Sequence, residues 1–356
     1  TGATFIIMPY QIENRRYIGC KAKLADWIFY NIEKETQDAH SFCDIFAGTG
    51  SISNRAVDRY ENVIINDFLY SNNVLYNAFF GKGEWDEKKI FKILEDFNNV
   101  DISSLQDNFF SNNYGGKYFD MQSARKIGYI RDEIESRKSI LTYKEYCILL
   151  ASLIYSIDRI SNTVGHFESY RKIKIEPRDF DMLPISVRSF EGVEIYRDDA
   201  NALSRKIKCD IVYIDPPYNS RQYSRFYHVY EVLVKWDNPR LYYDAAKPKF
   251  SENNSVYCRV GALLAFQDLV AHVKAKYIIV SYNNTYNPKS TTSANKIKLE
   301  EIKDTLDKCG ETKVFTHSYN PFNAGKTDFD DHKEYLFITK VNNERRNSSF
   351  ATLLRG

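Results

Sequence analysis

The chain has 356 residues, 43% of them apolar, which suffices for one large domain or for a domain with a sizeable insertion. Its 49 Lys and Arg stand against 47 Asp and Glu, so any contact with a polyanion has to come from a local patch and not from a uniformly basic surface. No apolar run reaches the ~18–20 residues of a membrane span and no secretory leader is visible, which argues against a membrane protein.

In chain order, the first element is an amphipathic helix in KLADWIFYNIEKE (23–35), with Leu24, Ile28 and Ile32 on one face. Strands are expected at SFCDIF (41–46) and NVIIND (62–67). The stretch that follows, 69–192, is too long for one crossover. It carries helical patterns in EKKIFKILEDF, ARKIGYIRDEIESRK and TYKEYCILLASLIYSIDRIS, and a polar loop in DNFFSNNYGGK. Further strands are expected at VEIYRDD (193–199), DIVYID (210–215), YIIVSYN (277–283), KVFTHS (313–318) and EYLFITK (334–340), with helices in SRFYHVYEVLVKW (224–236) and LEEIKDTLDKC (299–309). The strands are apolar on both faces or nearly so, and they alternate with helices. This predicts an α/β fold with a doubly wound, Rossmann-like sheet of seven strands. The last two strands, joined by a Gly/Asn/Asp-rich loop, predict an antiparallel closing hairpin. The domain expectation is a discontinuous α/β domain (1–68 and 193–345), an inserted helical region (69–192) and a tail (346–356).

Six cysteines form no C-x-x-C pair and several sit in apolar runs, so buried thiols in a reducing compartment are expected. The six histidines have no metal-like spacing, and no metal site is expected. The start at Thr1 instead of Met is consistent with a processed chain or part of a longer one. Tyr (27) and Phe (23) are abundant enough to pack a core or to stack on bases, and composition leaves both open.

Three stretches carry chemistry. In DIFAGTGSI (44–52), Gly48 and Gly50 permit a tight turn after the first strand and close approach of a ligand to the backbone. Alone, this pattern also suits an ordinary strand-to-helix turn. Position 53 is Ser, so the full G-x-G-x-x-G dinucleotide pattern is missing, and no P-loop Lys-Ser/Thr follows. Asp44 would repel a pyrophosphate and suits a ligand with an ammonium group. Asp67, ending the second strand, can bind two ribose hydroxyls or be a solvated strand-end acid. Together they describe a nucleoside with a cationic, phosphate-free tail, which S-adenosylmethionine fits.

The third stretch is Asp215-Pro216-Pro217-Tyr218, directly after a buried strand. The prolines stiffen the backbone and leave the Pro216 carbonyl without a sheet partner. That carbonyl and Asp215 are two acceptors, and Tyr218 is a flat ring. An exocyclic amine on a planar base requires such a set, because its lone pair is delocalised until its hydrogens are accepted.

With these motifs the sequence resembles the alpha-group, Dam-like DNA adenine-specific N6-methyltransferases of restriction-modification type. RRYIGCKAKL (15–24), DIFAGTGSI, DIVYIDPPYNSRQYS, DRISNTVGHFESYRK (158–172), SYNN (281–284) and EYLFI carry the resemblance across nearly the whole chain. It implies a class I methyltransferase sheet, with Tyr17, Gly19 and Lys21 lining the methionine end of S-adenosylmethionine. It implies a cofactor floor of Asp44, Ala47, Gly48 and Gly50, with Asp67 on the ribose. Of Asp198 and Asp199, it favours Asp199 at the cofactor's adenine. Asp215, Pro216, Pro217 and Tyr218 become catalytic, with Asp215 also at the cofactor. Ile45 departs from the family, which often has Pro there.

The resemblance makes 69–192 the target-recognition region. Its SYRKIKIEPR stretch offers Arg171, Lys172 and Lys174 for binding phosphates, against the plainer reading of a solvated charged loop. Double-stranded DNA is the implied partner. A target adenine would be flipped out of the helix, with Tyr223, Phe226 or Tyr227 completing its pocket or packing in a core. A cognate restriction endonuclease would act on the same site without a stable complex, in a cytoplasm of bacterial or archaeal type. Rival readings are an amino-methyltransferase for DNA cytosine, RNA guanine or protein glutamine, a nuclease using Glu301 and Lys303, and a non-catalytic DNA-binding subunit. Cytosine-amine enzymes usually carry Ser for the Asp and glutamine enzymes Asn.

Overall fold

The computed structural model describes residues 8–218, 221–249, 254–284, 296–318 and 332–355. The chain divides into two compact units. A sheet unit comprises Lys21–Phe68, Gly192–Gln222 and Glu252–Gly356, and a helical unit comprises Thr1–Cys20, Leu69–Glu191 and Tyr223–Ser251.

The sheet unit holds β1 (Ser41–Asp44), β2 (Asn62–Asn66), β3 (Val193–Tyr196), β4 (Lys208–Ile214), β7 (Lys274–Asn283), β8 (Gly310–Ser318) and β9 (Lys333–Val341). In the helical unit β5 (Leu241–Tyr242) pairs antiparallel with β6 (Lys247–Pro248). The seven strands run in the order β3-β2-β1-β4-β7-β9-β8. β3, β2, β1, β4 and β7 are mutually parallel, while β9 is antiparallel to both β7 and β8. All seven strands expected from the sequence are present, and the closing strand is antiparallel. The loop at 319–331 that joins β8 to β9 lies outside the described residues.

Alternation along the strands explains the two apolar faces. Cys43, Val212, Ile214, Ile278, Val280 and Phe337 share one buried cluster with Leu203, Phe266, Leu269, Ile302 and Leu306 from helices Ala200–Ser204, Ala262–His272 and Leu299–Asp307. Phe42, one residue along from Cys43, instead meets Phe29 of helix Ala25–Glu35 and Tyr213 of β4. The central strands β1, β4 and β7 are buried over most of their length, as their apolar runs predict, whereas the edge strand β8 is largely exposed and departs from that expectation. Residues 343–349, within and beside the expected tail, form a short helix whose buried Arg346 donates to the Val273 carbonyl at 2.6 Å.

The helical unit contains Tyr70–Phe79, Glu87–Asn98, Phe109–Tyr114, Met121–Ser136, Tyr143–Asp158, Tyr223–Phe226 and His228–Lys235. Tyr143–Asp158 is buried over nearly its whole length and opens with a reciprocal cap between Thr142 and Glu145. The polar stretch 107–117, expected as a loop, contains helix Phe109–Tyr114. Asn108 and Ser111 cap it reciprocally, and Phe110 and Tyr114 bury one side. Two apolar anchors in a polar stretch were too few to show a period. From 159 to 192 no helix or named strand interrupts the chain. None of the six cysteines forms a disulfide, and all but Cys20 are buried. No helix among the described residues is long and apolar enough to cross a membrane, and no group of three or more His, Cys, Asp or Glu among them could hold a metal ion.

Candidate active site

The parallel strands of the sheet unit deliver an acid at or just after each of four C-terminal ends: Asp44 closes β1, Asp67 follows β2, Asp199 follows β3 and Asp215 follows β4. This edge is where open α/β sheets bind ligands.

Gly48 and Gly50 adopt φ of +53° and +78°, so a side chain at either would be strained. Gly50 begins helix Ser51–Ala56. The Gly48 N–H donates to Asp67 Oδ2 at 3.0 Å, and the Ala47 N–H donates to the Asn66 carbonyl at 2.9 Å, which ties the glycine turn to the end of β2. Asn66, unnoticed in the sequence, ties the end of β2 to two loops. Its amide nitrogen donates to the carbonyls of Ile45 and Asp198, and its oxygen accepts from the Asp198 N–H at 2.9 Å. Asp199 caps helix Ala200–Ser204 by accepting from the Ala202 N–H, while Asp198 pairs with Lys206.

Asp44 is buried. Ser53 Oγ donates to its Oδ2 at 2.7 Å, and its Oδ1 has no hydrogen-bond partner among the described residues. Burial pushes the Asp44 carboxyl up to about 7; the Ser53 hydrogen bond opposes the shift, and the fields of Asp215 and Asp67 add to it. A buried carboxylate oxygen without a partner is costly unless a ligand supplies one.

Asp215 belongs to a charge cluster. The buried Lys21 ammonium lies 3.3 Å from Asp215 Oδ1 and 3.1 Å from Glu334 Oε1. Burial would lower the lysine's pKa, but the two carboxylates overturn that and hold it well above its ordinary value. Burial raises the Asp215 carboxyl to about 7, with Lys21 opposing and Glu334 adding to the rise. Tyr218, half-buried, sits 5.9 Å from the Lys21 ammonium by its ring centroid and meets the Tyr282 ring edge-on. The Asn283 side chain hydrogen-bonds its hydroxyl. EYLFI pointed to β9, but nothing in the sequence singled out Glu334, which faces Lys21 across more than 300 residues of chain.

The remaining expected site residues lie in the helical unit. The Tyr17 ring stacks on Tyr227 with centroids 4.4 Å apart and planes at 7°. The buried Arg15 guanidinium lies 4.9 Å from the Tyr17 centroid, and Gly19 has φ +78°. Phe226 and Tyr227 are buried within this unit, and the Tyr227 hydroxyl accepts from the Ile18 N–H at 2.8 Å, so both are packing residues there. Arg171, Lys172 and Lys174 are all exposed in the irregular 159–192 stretch; Lys174 also pairs with the equally exposed Glu176.

A family model described as D12 class N6 adenine-specific DNA methyltransferase matches residues 17–293. The chain belongs to this family. Among similar proteins, the Type II methyltransferase M.CviAII of Paramecium bursaria Chlorella virus 1 is 30% identical over 335 residues, covering 91% of this chain and 98% of the relative. M.NlaIII of Neisseria lactamica is 28% identical over 340 residues, 90% of this chain and 98% of the relative. M.FokI of Planomicrobium okeanokoites is 32% identical over 294 residues; these cover 76% of this chain and 44% of that longer protein. The D12 chain is therefore an adenine-specific DNA methyltransferase, and the cytosine, RNA, glutamine, nuclease and non-catalytic readings fall away.

Proposed function

We propose that this D12 enzyme takes its methyl group from S-adenosylmethionine held at the C-terminal strand edge of the sheet unit, and transfers it to the N6 amine of an adenine rotated out of duplex DNA. The observation that carries the reading is the unpartnered Oδ1 of buried Asp44, a carboxylate oxygen that suits a cationic ammonium and would reject a phosphate. The residues fit such a donor. Asp44 would hold the ammonium, Ala47, Gly48 and Gly50 would line the floor, and Asp67, already oriented by the Gly48 N–H, would accept from ribose hydroxyls. Asp199 and Lys21 would lie at its adenine and methionine ends. When bound, the donor supplies an electrophilic methyl on a sulfonium.

Asp215 and the Pro216 carbonyl accept the two hydrogens of the target amine, so the nitrogen lone pair leaves conjugation and faces the methyl. Pro217 keeps the turn rigid, and Tyr218 stacks on the base. A base inside a duplex cannot reach these groups, so the enzyme flips it out. The names of the relatives, Type II methyltransferases, support a protective role in a restriction-modification system. The partner endonuclease would read the same site without a stable complex, in a prokaryotic-type cytoplasm.

Asp44→Asn keeps the shape and the Ser53 hydrogen bond but removes the charge. A charge-assisted hydrogen bond contributes about 1.5–3 kcal/mol, so calorimetry at pH 8 should show S-adenosylmethionine binding weakened at least ~tenfold. Unchanged affinity would remove Asp44 from the ammonium site and with it the main support for this reading.

Target recognition is assigned to residues 69–192. The irregular 159–192 stretch is far longer than an ordinary connection, and such segments are usually functional. It presents Arg171, Lys172 and Lys174 to solvent. Replacing all three by Gln should lower DNA affinity and reduce the slope of log K against log salt by roughly 0.9 for each phosphate no longer neutralised, sparing donor affinity. An unaltered slope would return the cluster to a solvated loop.

A further inference from the structure

The buried anion Glu334 is unused by the mechanism above. It lies on β9 opposite Asn283 of β7 and is 1% exposed. Its Oε1 accepts from Ser281 Oγ and stands 3.1 Å from Lys21 Nζ, whose other carboxylate neighbour is Asp215 Oδ1 at 3.3 Å. One ammonium is thus shared between two carboxylates. We propose that Glu334 is a positioning residue for methyl transfer: it holds Lys21 back from full pairing with Asp215, so that an Asp215 oxygen stays available as an acceptor for the target amine. The proposal rests on the reading that Asp215 accepts from that amine.

The physical reason lies in the charge flow. As the amine nitrogen bonds to the methyl carbon, the carbon–sulfur bond would break and release a neutral thioether, positive charge would pass from sulfur to nitrogen, and the N-methylated product would give up one proton to solvent. Negative charge at Asp215 favours the transition state over the ground state. An undivided Lys21–Asp215 pair would be neutral and would occupy the oxygen that the amine needs. Other groups complete the surroundings. Tyr213 on β4 and Tyr218 beyond it carry hydroxyls near Asp215, and Asp44 on β1 adds a like charge. Lys296, before helix Leu299–Asp307, lies in the field of Glu334 with its ammonium 5.7 Å from the Tyr282 centroid, and burial lowers it to about 8. Glu334 in turn contributes to the raised Asp215 value.

The test is single-turnover methyl transfer across pH 5.5–9 with the full chain, S-adenosylmethionine and unmodified duplex DNA. In Glu334→Gln, Lys21 collapses onto Asp215. The plateau rate should fall roughly tenfold, as expected for a transition-state effect, with donor and DNA affinities within about twofold of the parent. Because Glu334 raises the Asp215 pKa, its loss should move the acidic limb of the profile to lower pH, which loss of packing would not do. A Glu334→Gln enzyme with the parental plateau and limb overturns the proposal. Should that variant not fold, Glu334→Asp carries the test. Its carboxylate is drawn back by one methylene, so the plateau should drop severalfold while the limb stays near the parental position; a parental rate would overturn the proposal. Asp215→Ala is measured in parallel. If it transfers methyl normally, the underlying reading fails; if it is slow while the Glu334 variants match the parent, only this inference fails.

Discussion

Asp215→Ala should fold, bind S-adenosylmethionine and DNA, and lose on the order of 10²–10³ in the rate of methyl transfer, by analogy with removal of one preorganised transition-state hydrogen bond. The carboxylate accepts from the target amine most strongly while the nitrogen becomes a nucleophile, so the loss falls on turnover more than on binding. The parental enzyme should show a related signature. Asp215 must be ionised to act, and its carboxyl sits at about 7, so the rate should decline roughly tenfold per pH unit below that value. Folding should survive because Asp215 stands after β4 and outside the apolar cluster of the sheet, although Lys21 then keeps only Glu334. Single-turnover kinetics with separate binding measurements check this. Parental transfer by a folded Asp215→Ala enzyme that binds both ligands would refute the assigned role.

The largest stability effect is expected for Lys21→Met. It leaves Asp215 and Glu334 facing each other in a buried site with no cation between them. Breaking a buried ion pair by removing one partner costs about 3–5 kcal/mol. The loss should depend on pH with a definite sign. Asp215 already titrates near 7 with Lys21 in place, and without the lysine its folded value rises further, whereas the unfolded chain titrates near 4. Between these values the folded state holds more protons than the unfolded state, so the variant's stability falls as pH rises across that window. Urea unfolding should therefore show a larger deficit at pH 8 than at pH 5.5. Equal deficits at both would mean that Lys21 acts through packing of its stem and not through its charge.

Local sequence carried the strands, because a sheet covered on both faces demands apolar residues at every position, and SFCDIF, DIVYID and YIIVSYN meet that demand without reference to distant residues. It carried the glycine turn and DPPY for a similar reason: positive φ and proline stiffness belong to single residues. Helix Phe109–Tyr114 escaped notice because its buried side is two aromatic residues in a polar stretch, and the packing that selects it comes from elsewhere in the fold. Chain order likewise hid that residues 1–20 and 223–251 group with 69–191, since membership of a compact unit is set by packing across long separations. The same limit hid Asn66, whose hydrogen bonds join β2 to loops 21 and 132 residues away, and Glu334, a strand acid whose meaning depends on the β7–β9 register and on Lys21. Residue type determined which groups could do the chemistry. Only the tertiary structure decided which buried charges share a partner, because Coulombic and hydrogen-bond energies depend on separations in space that spacing along the chain does not encode.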